Sequence, residues 1–242
     1  MGLTDKELRR ISETIAIIPQ DVASMLEVGC GDGRVSSRIG RKVRLIGLDI
    51  ASAKISAYPG SKLIGDIANL PIKTNKFDIV LGCEVIEHIN NRNLSFALQE
   101  MERVTNRYIL VTVPFKETLP AQWCKCSNCS YVYHAWGHLR GFDLNSVRSL
   151  FVNLRLVETR FLGPKEPHIP SIFYLIARYL GNVWESDQRN PTPCPKCGSL
   201  PINRPRNIFG KLFIRLIWRV ERIWPFKRAV WIGCLYRKPK IG

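Results

Sequence analysis

Short apolar runs alternate with amphipathic stretches through the first half of the chain. Ser24–Val28 is apolar apart from Glu27 and runs into Gly29-Cys30-Gly31-Asp32-Gly33. Val43–Leu48 ends at Asp49, Lys62–Ile64 precedes Gly65-Asp66, Phe77–Gly82 ends at Cys83, and Tyr108–Val113 is closed by Pro114. These lengths and stops predict five strands. Thr4 and Glu7 form a capping box that starts a helix over residues 5–17. Helices are also predicted over 34–40 and 92–104. Two further strands are predicted at Leu156–Leu162 and Ala229–Tyr236, separated by a long insertion. Strands alternating with helices imply an α/β fold, a doubly wound, mostly parallel seven-stranded sheet with a small insertion. The organisation expected is a main domain of residues 1–162 and 226–242, with an insertion or cap of 120–140 and 163–225.

A strand that ends in a glycine turn and feeds a helix is a nucleotide-type site, because glycine lets the backbone approach a ligand and adopt positive φ. The spacing excludes two classes. A dinucleotide fingerprint needs a glycine where Arg34 stands, and no Gly-Lys-Ser/Thr follows for a P-loop. What remains is Glu27-Val28-Gly29-Cys30-Gly31-Asp32-Gly33, with Asp49 ending the second strand and Asp66 after the third. Cys83-Glu84-Val85-Ile86-Glu87-His88-Ile89 follows the fourth. The combination resembles the class I S-adenosylmethionine-dependent methyltransferases, in particular the large type 11-like subgroup that includes ubiquinone-biosynthesis enzymes.

The resemblance implies a Rossmann-like methyltransferase fold with S-adenosylmethionine as cofactor. Glu27, Gly29, Gly31, Gly33, Asp49, Asp66, Ile67 and Cys83 would line its site. Asp49 would take the ribose hydroxyls and Asp66 the adenine amino group. A carboxylate at a strand end suits a cis-diol, and a cofactor without phosphate needs no phosphate clamp. A sulfonium is already an activated methyl donor, so a base is needed only where the acceptor must lose a proton. The Asn/Asp-Pro-Pro-Tyr/Phe signature of amine methylation is absent, Gly82-Cys83-Glu84 standing in its place. That argues against exocyclic base amines and leaves oxygen, carbon or other acceptors open; oxygen on a small-molecule, glycan or lipid-linked acceptor is the expectation, with His88, His134 and His138 as the candidate bases. The alternatives are an RNA methyltransferase and a non-catalytic zinc-ribbon adaptor.

Cysteine adds a second chemistry. Cys126-x2-Cys129 and Cys194-x2-Cys197 read as two zinc knuckles that close one structural tetrahedral Zn²⁺ site, although 64 residues separate them. Cys126 and Cys129 with His134 and His138 form a lesser alternative. Charge comes last. The 36 Lys/Arg against 20 Asp/Glu give +16. Residues 203–242 hold eleven of those cations and one acid, Glu221, so +10 of the excess sits there. Within it, residues 207–224 read as a helix whose Lys211, Arg215, Arg219 and Arg222 share an arc of roughly 80° at 100° per residue. That helix covers the sheet, lies on a membrane interface, or grips RNA; nucleic acid is the weakest of the three, since no RNA-binding module is present. The N-terminus has no apolar signal core, and no apolar run reaches the roughly 20 residues of a bilayer span. The expected location is cytoplasmic, with peripheral membrane contact through 207–224.

Overall fold

A computed structural model of the chain describes residues 2–40, 42–184, 192–200 and 207–239. Of the basic C-terminal stretch, Arg204, Arg206 and Lys240 lie outside the described residues. The strands are β1 (Ser24–Val28), β2 (Arg44–Asp49), β3 (Ser61–Ile64), β4 (Phe77–Cys83), β5 (Thr105–Pro114), β6 (Trp123–Lys125), β7 (Val132–His134), β8 (Arg155–Pro167) and β9 (Lys227–Arg237). The α-helices are α1 (Asp5–Ile15), α2 (Ser52–Ile55), α3 (Asn91–Val104), α4 (Leu144–Arg148), α5 (Ser171–Tyr179) and α6 (Ile208–Ile223).

Seven strands form one sheet in the order β3-β2-β1-β4-β5-β9-β8. Residues Leu26↔Ile46, Val28↔Gly82 and Val80↔Ile109 pair in parallel, whereas β9 runs antiparallel to β5 through Val111↔Cys234. β1 is buried along its whole length, as a central parallel strand must be. Apolar side chains pack on both faces of the sheet. One cluster includes Met101 and Val104 of α3 with Leu26, Val28 and Val80. The other includes Ile11 of α1 with Met25, Ile79 and Leu81. The strand order reverses between β1 and β4, and in a doubly wound sheet the ligand crevice opens at the carboxyl ends of the strands at that point. The turn after β1, Asp49 of β2 and Cys83 of β4 all lie at those ends.

The chain divides into two compact units: Met1–Phe115 with Phe142–Pro164 and Ala229–Gly242, and Lys116–Gly141 with Lys165–Arg228. The first holds the sheet core. The second holds the β6–β7 ribbon, the cysteine knuckles and the α5–α6 pair.

One element differs from the sequence expectation. The helix over 34–40 is a single 3-10 turn, Ser36–Arg38. Ser36 spends its hydroxyl on Glu27, and Ser37 and Gly40 are weak helix formers. The turn is therefore too short to act as a helix N-terminus toward a ligand. The ribbon strands β6 and β7 were not expected either. They are three residues each, too short to show a period.

Candidate cofactor site and its neighbours

Three glycines of the first turn have positive φ: Gly29 at 61°, Gly31 at 51° and Gly33 at 76°. They do different work. A Cβ on Gly29 would stand 2.5 Å from Val85 Cγ2, and one on Gly33 would stand 2.5 Å from Pro59 Cδ and 2.7 Å from Tyr58 Cδ2. Those two glycines let the turn pack against its own protein. A Cβ on Gly31 would meet nothing within 4 Å. That bare backbone faces open space at the switch point, the cradle a bound molecule needs.

The turn is held from below and from the side. Glu27 is buried, and its carboxyl receives the Ser36 hydroxyl, which also bonds Tyr58 Oη at 2.9 Å. Burial is the dominant cause that pushes this carboxyl up to about 7. Glu27 therefore supports the turn from beneath. From the side, Asp49 Oδ2 accepts the Gly31 N–H at 2.8 Å and Oδ1 accepts the Ala51 N–H at 2.8 Å. Each carboxylate oxygen keeps a further lone pair for a hydroxyl donor. Asp66 is exposed, and its Oδ1 accepts the Ala68 N–H at 2.9 Å. Its loop is tied down by α3. Glu100 accepts the Leu70 N–H at 2.7 Å, and Arg103 donates to the Ile72 and Leu70 carbonyls at 2.7 and 3.0 Å. Ile67 packs half-buried against the core below. Cys83 is half-buried at the end of β4, and burial followed by the nearby Glu27 pushes its thiol up to about 12. It is thus a neutral wall of the crevice.

α1 brings a cation that sequence reasoning missed. Arg10 sits 4.0 Å from Glu84 Oε1, with its guanidinium 5.2 Å from the Trp231 ring centroid. Its Nε and Nη1 are buried and have no hydrogen-bond partner. Glu84 itself has φ 55°, and its Oε2 accepts the Trp231 indole N–H at 2.6 Å. Buried guanidinium nitrogens without a hydrogen-bond partner suit an anionic group such as an α-carboxylate.

The second unit contains a compact acid–histidine group. His134 Nδ1 accepts the backbone N–H of Trp136 and of His138, each at 3.3 Å. Its proton is therefore on Nε2, which faces Glu117 Oε1 at 3.5 Å. His134 thus sits between two backbone N–H groups on one side and the Glu117 carboxylate on the other. His138 stacks on it with ring centroids 4.6 Å apart and places Nδ1 2.6 Å from Glu117 Oε2. Glu117 thereby fixes the orientation of the His138 ring. Burial alone would raise the Glu117 carboxyl, but the two imidazole donors outweigh it and hold it at about 2. His88 is exposed in the turn before α3, its N–H bonding the Val85 carbonyl at 3.0 Å.

The four knuckle cysteines come together, with their Sγ atoms within 4.8 Å of one another. Cys126 and Cys197 Sγ are 3.5 Å apart, and Cys129 and Cys194 Sγ 3.6 Å. A tetrahedron of Zn–S bonds of about 2.3 Å has edges near 3.8 Å, so the set fits zinc. Ser130 at φ 57° and Gly198 at φ 72° close the two knuckle turns. The mixed set with His134 and His138 is disfavoured, since those rings serve Glu117.

Residues 26–108 match the family model described as a methyltransferase domain. That stretch, which carries the glycine turn, is similar to the class I S-adenosylmethionine-dependent methyltransferases. The tRNA (carboxymethyluridine(34)-5-O)-methyltransferase of Schizosaccharomyces pombe is 33% identical over 81 residues, 32% of this chain and 35% of that one. An uncharacterized protein of Methanocaldococcus jannaschii is 26% identical over 133 residues, 53% of this chain and 56% of that one. The chain thus spans about a third to just over half the length of those relatives. A solved S-adenosylmethionine-dependent methyltransferase of Archaeoglobus fulgidus shares the fold, with TM-score 0.54, 15% identity and coverage of 96% of this chain and 91% of that one.

In this methyltransferase fold, Gly29, Gly31, Gly33, Asp49 and Cys83 gather at the switch point, with the tethered Asp66–Ile67 loop following β3. Arg10, Trp231 and Glu117 were not foreseen. Lys6 and Arg10, one turn apart on α1, were the available signal for the first. Glu117 had none beyond an acid shortly after β5.

Proposed function

We propose that the chain transfers a methyl group from S-adenosylmethionine to an oxygen of a small-molecule, glycan or lipid-linked acceptor. The observations that carry the cofactor reading are the bare Gly31, held by the Asp49 carboxylate, and the under-paired Arg10 beside Glu84 and Trp231. Asp49 would receive the ribose hydroxyls, Asp66 the adenine amino group and Arg10 the carboxylate of the methionine end. S-adenosylmethionine, when bound, supplies a methyl on a positively charged sulfur. This chain's residues then orient it and hold water away. Where the acceptor must lose a proton, His138, held at Nδ1 by Glu117, is the candidate base. The four cysteines would hold a structural Zn²⁺. A full thiolate set leaves it no open position for chemistry.

A second reading is favoured by one relative and one surface. The Schizosaccharomyces pombe relative is a tRNA methyltransferase by name, and α6 carries exposed cations. RNA as acceptor is the rival. Incubating the protein with methyl-tritiated S-adenosylmethionine and cell extract separates the two. Label in the solvent-extractable or small-molecule fraction supports the first reading. Label in RNA alone supports the second.

A further inference from the structure

The α5–α6 pair carries a surface that methyl transfer does not account for. α6 begins at Asn207, whose side chain accepts the Gly210 N–H at 2.7 Å. Gly210 and Gly181 allow the two helices to touch backbone to backbone, because a Cβ on Gly210 would collide with the Gly181 carbonyl. Gly210, Ile214 and Ile217 form the buried side of α6. Ala177, Val183, Ile214 and Ile217 make the small core beneath it.

The opposite side is the unusual one. Ile208 is 80% exposed, Leu212 61%, Leu216 54%, Trp218 52% and Ile223 81%, and Phe226 just beyond the helix is 70% exposed. At 100° per residue, Leu212, Leu216 and Ile223 share one stripe, and Lys211, Arg215, Arg219 and Arg222 share the next. All four cations are exposed. Residues 207–228 contain six Lys/Arg and one acid, Glu221, and Glu221 is tied to the Tyr174 hydroxyl at 2.7 Å. The apolar stripe continues into a groove between the helices, lined by Ile169, Phe173, Val220 and Trp224 among others.

We propose that this surface docks on an anionic lipid bilayer, with α6 lying in the plane of the interface. Two adjacent stripes, one aliphatic and one cationic, with exposed Trp218 flanking the cations and Phe226 just beyond the helix, match a boundary between acyl chains and acidic headgroups. Sixteen residues at about 1.5 Å each reach about 24 Å, less than a hydrocarbon core. No helix among the described residues is long and apolar enough to cross a membrane. Contact along the surface is the geometry left to α6. RNA would leave the Leu and Ile side chains against phosphates and water. A symmetric second copy would set the cationic stripe against itself, with one engaged acid to offset it.

Co-sedimentation with vesicles tests the proposal and does not depend on methyl transfer. Phosphatidylcholine vesicles are compared with vesicles containing about 30% phosphatidylglycerol. The full chain is expected to pellet with the anionic vesicles and at least tenfold less with the neutral ones, and to release as salt rises. Arg215→Gln/Arg219→Gln/Arg222→Gln, all exposed positions, should lower the partition on the order of a hundredfold at about 1 kcal/mol per cation. Leu212→Ser/Leu216→Ser/Ile223→Ser should lower it with the cations intact. Melting curves of both variants verify the fold. Equal partition of wild type and arginine variant overturns the proposal. So does tight binding of a short RNA with no vesicle binding, or a dimer by light scattering that is lost in the apolar variant.

Discussion

Gly31→Ala and Gly33→Ala carry the same chemical change two residues apart, yet they should fail in different ways. Both glycines have positive φ, 51° and 76°, so alanine costs about 1–2 kcal/mol of backbone strain at either position. At Gly33 the new methyl also overlaps Pro59 Cδ at 2.5 Å and Tyr58 Cδ2 at 2.7 Å, which adds about 1–3 kcal/mol of overpacking. Gly33→Ala should therefore lose about 2–5 kcal/mol by urea denaturation. Gly31→Ala should lose only about 1–2 kcal/mol, because its methyl meets no protein atom within 4 Å. Affinity for S-adenosylhomocysteine should rank the other way per unit of lost stability. A methyl in the cradle that costs the ligand about 1–3 kcal/mol weakens it about 10–100-fold. A folded Gly31→Ala protein with wild-type affinity refutes the reading of that open space as a cofactor cradle.

Other consequences follow from the ionisable groups and the cysteines. Glu27 ionises near 7 in the fold and near 4.5 when exposed, so its ionisation opposes folding. Stability is retained below pH 4.5 and falls by about 3 kcal/mol as pH rises through 7, and Glu27→Gln should remove that slope in urea titrations at pH 5 and pH 8. Glu117, held at about 2, stabilises above pH 4.5 and loses this as pH falls toward 2, so Glu117→Gln should flatten the acid limb of melting temperature against pH. The same variant should lower kcat and shift the acidic limb of the pH–rate profile, where the base protonates, while S-adenosylhomocysteine affinity stays unchanged. Arg10→Gln should weaken S-adenosylhomocysteine at least tenfold in calorimetry and leave 5′-methylthioadenosine, which lacks the amino-acid end, unaffected. Metal analysis should give about one zinc per chain, lost together with melting stability in Cys194→Ser/Cys197→Ser.

The strands and the glycine turn were legible because each is a local signal. β1 is five residues of mostly apolar chain stopped by Gly29, and it forms over Ser24–Val28 as its pattern reads. α3 starts at the Asn90 cap, whose side chain accepts the Asn93 N–H at 2.9 Å, and α6 starts at the Asn207 cap. The 34–40 helix failed for a tertiary reason. Apolar and polar spacing there fits a helix, but Ser36 is drawn to buried Glu27 and the segment closes as one turn. Arg10 and Glu117 were illegible because their meaning lies in partners far along the chain. Arg10 is defined by Glu84 and Trp231, and Glu117 by His134 and His138. Only folding reveals that both rings gather on the one Glu117 carboxylate. The knuckles were readable in spite of their 64-residue spacer, since two Cys-x2-Cys turns announce the donor set wherever the chain returns.

The cofactor pocket is the claim on which the rest depends. The direct test is calorimetric titration of S-adenosylhomocysteine into the wild-type chain and into Asp49→Ala, with melting curves recorded alongside. The wild type should bind one equivalent, and Asp49→Ala should bind at least a hundredfold more weakly while staying folded, since a carboxylate taking two hydroxyl donors is worth about 3 kcal/mol or more. Equal affinity in the two proteins, or no binding to either, would contradict the account.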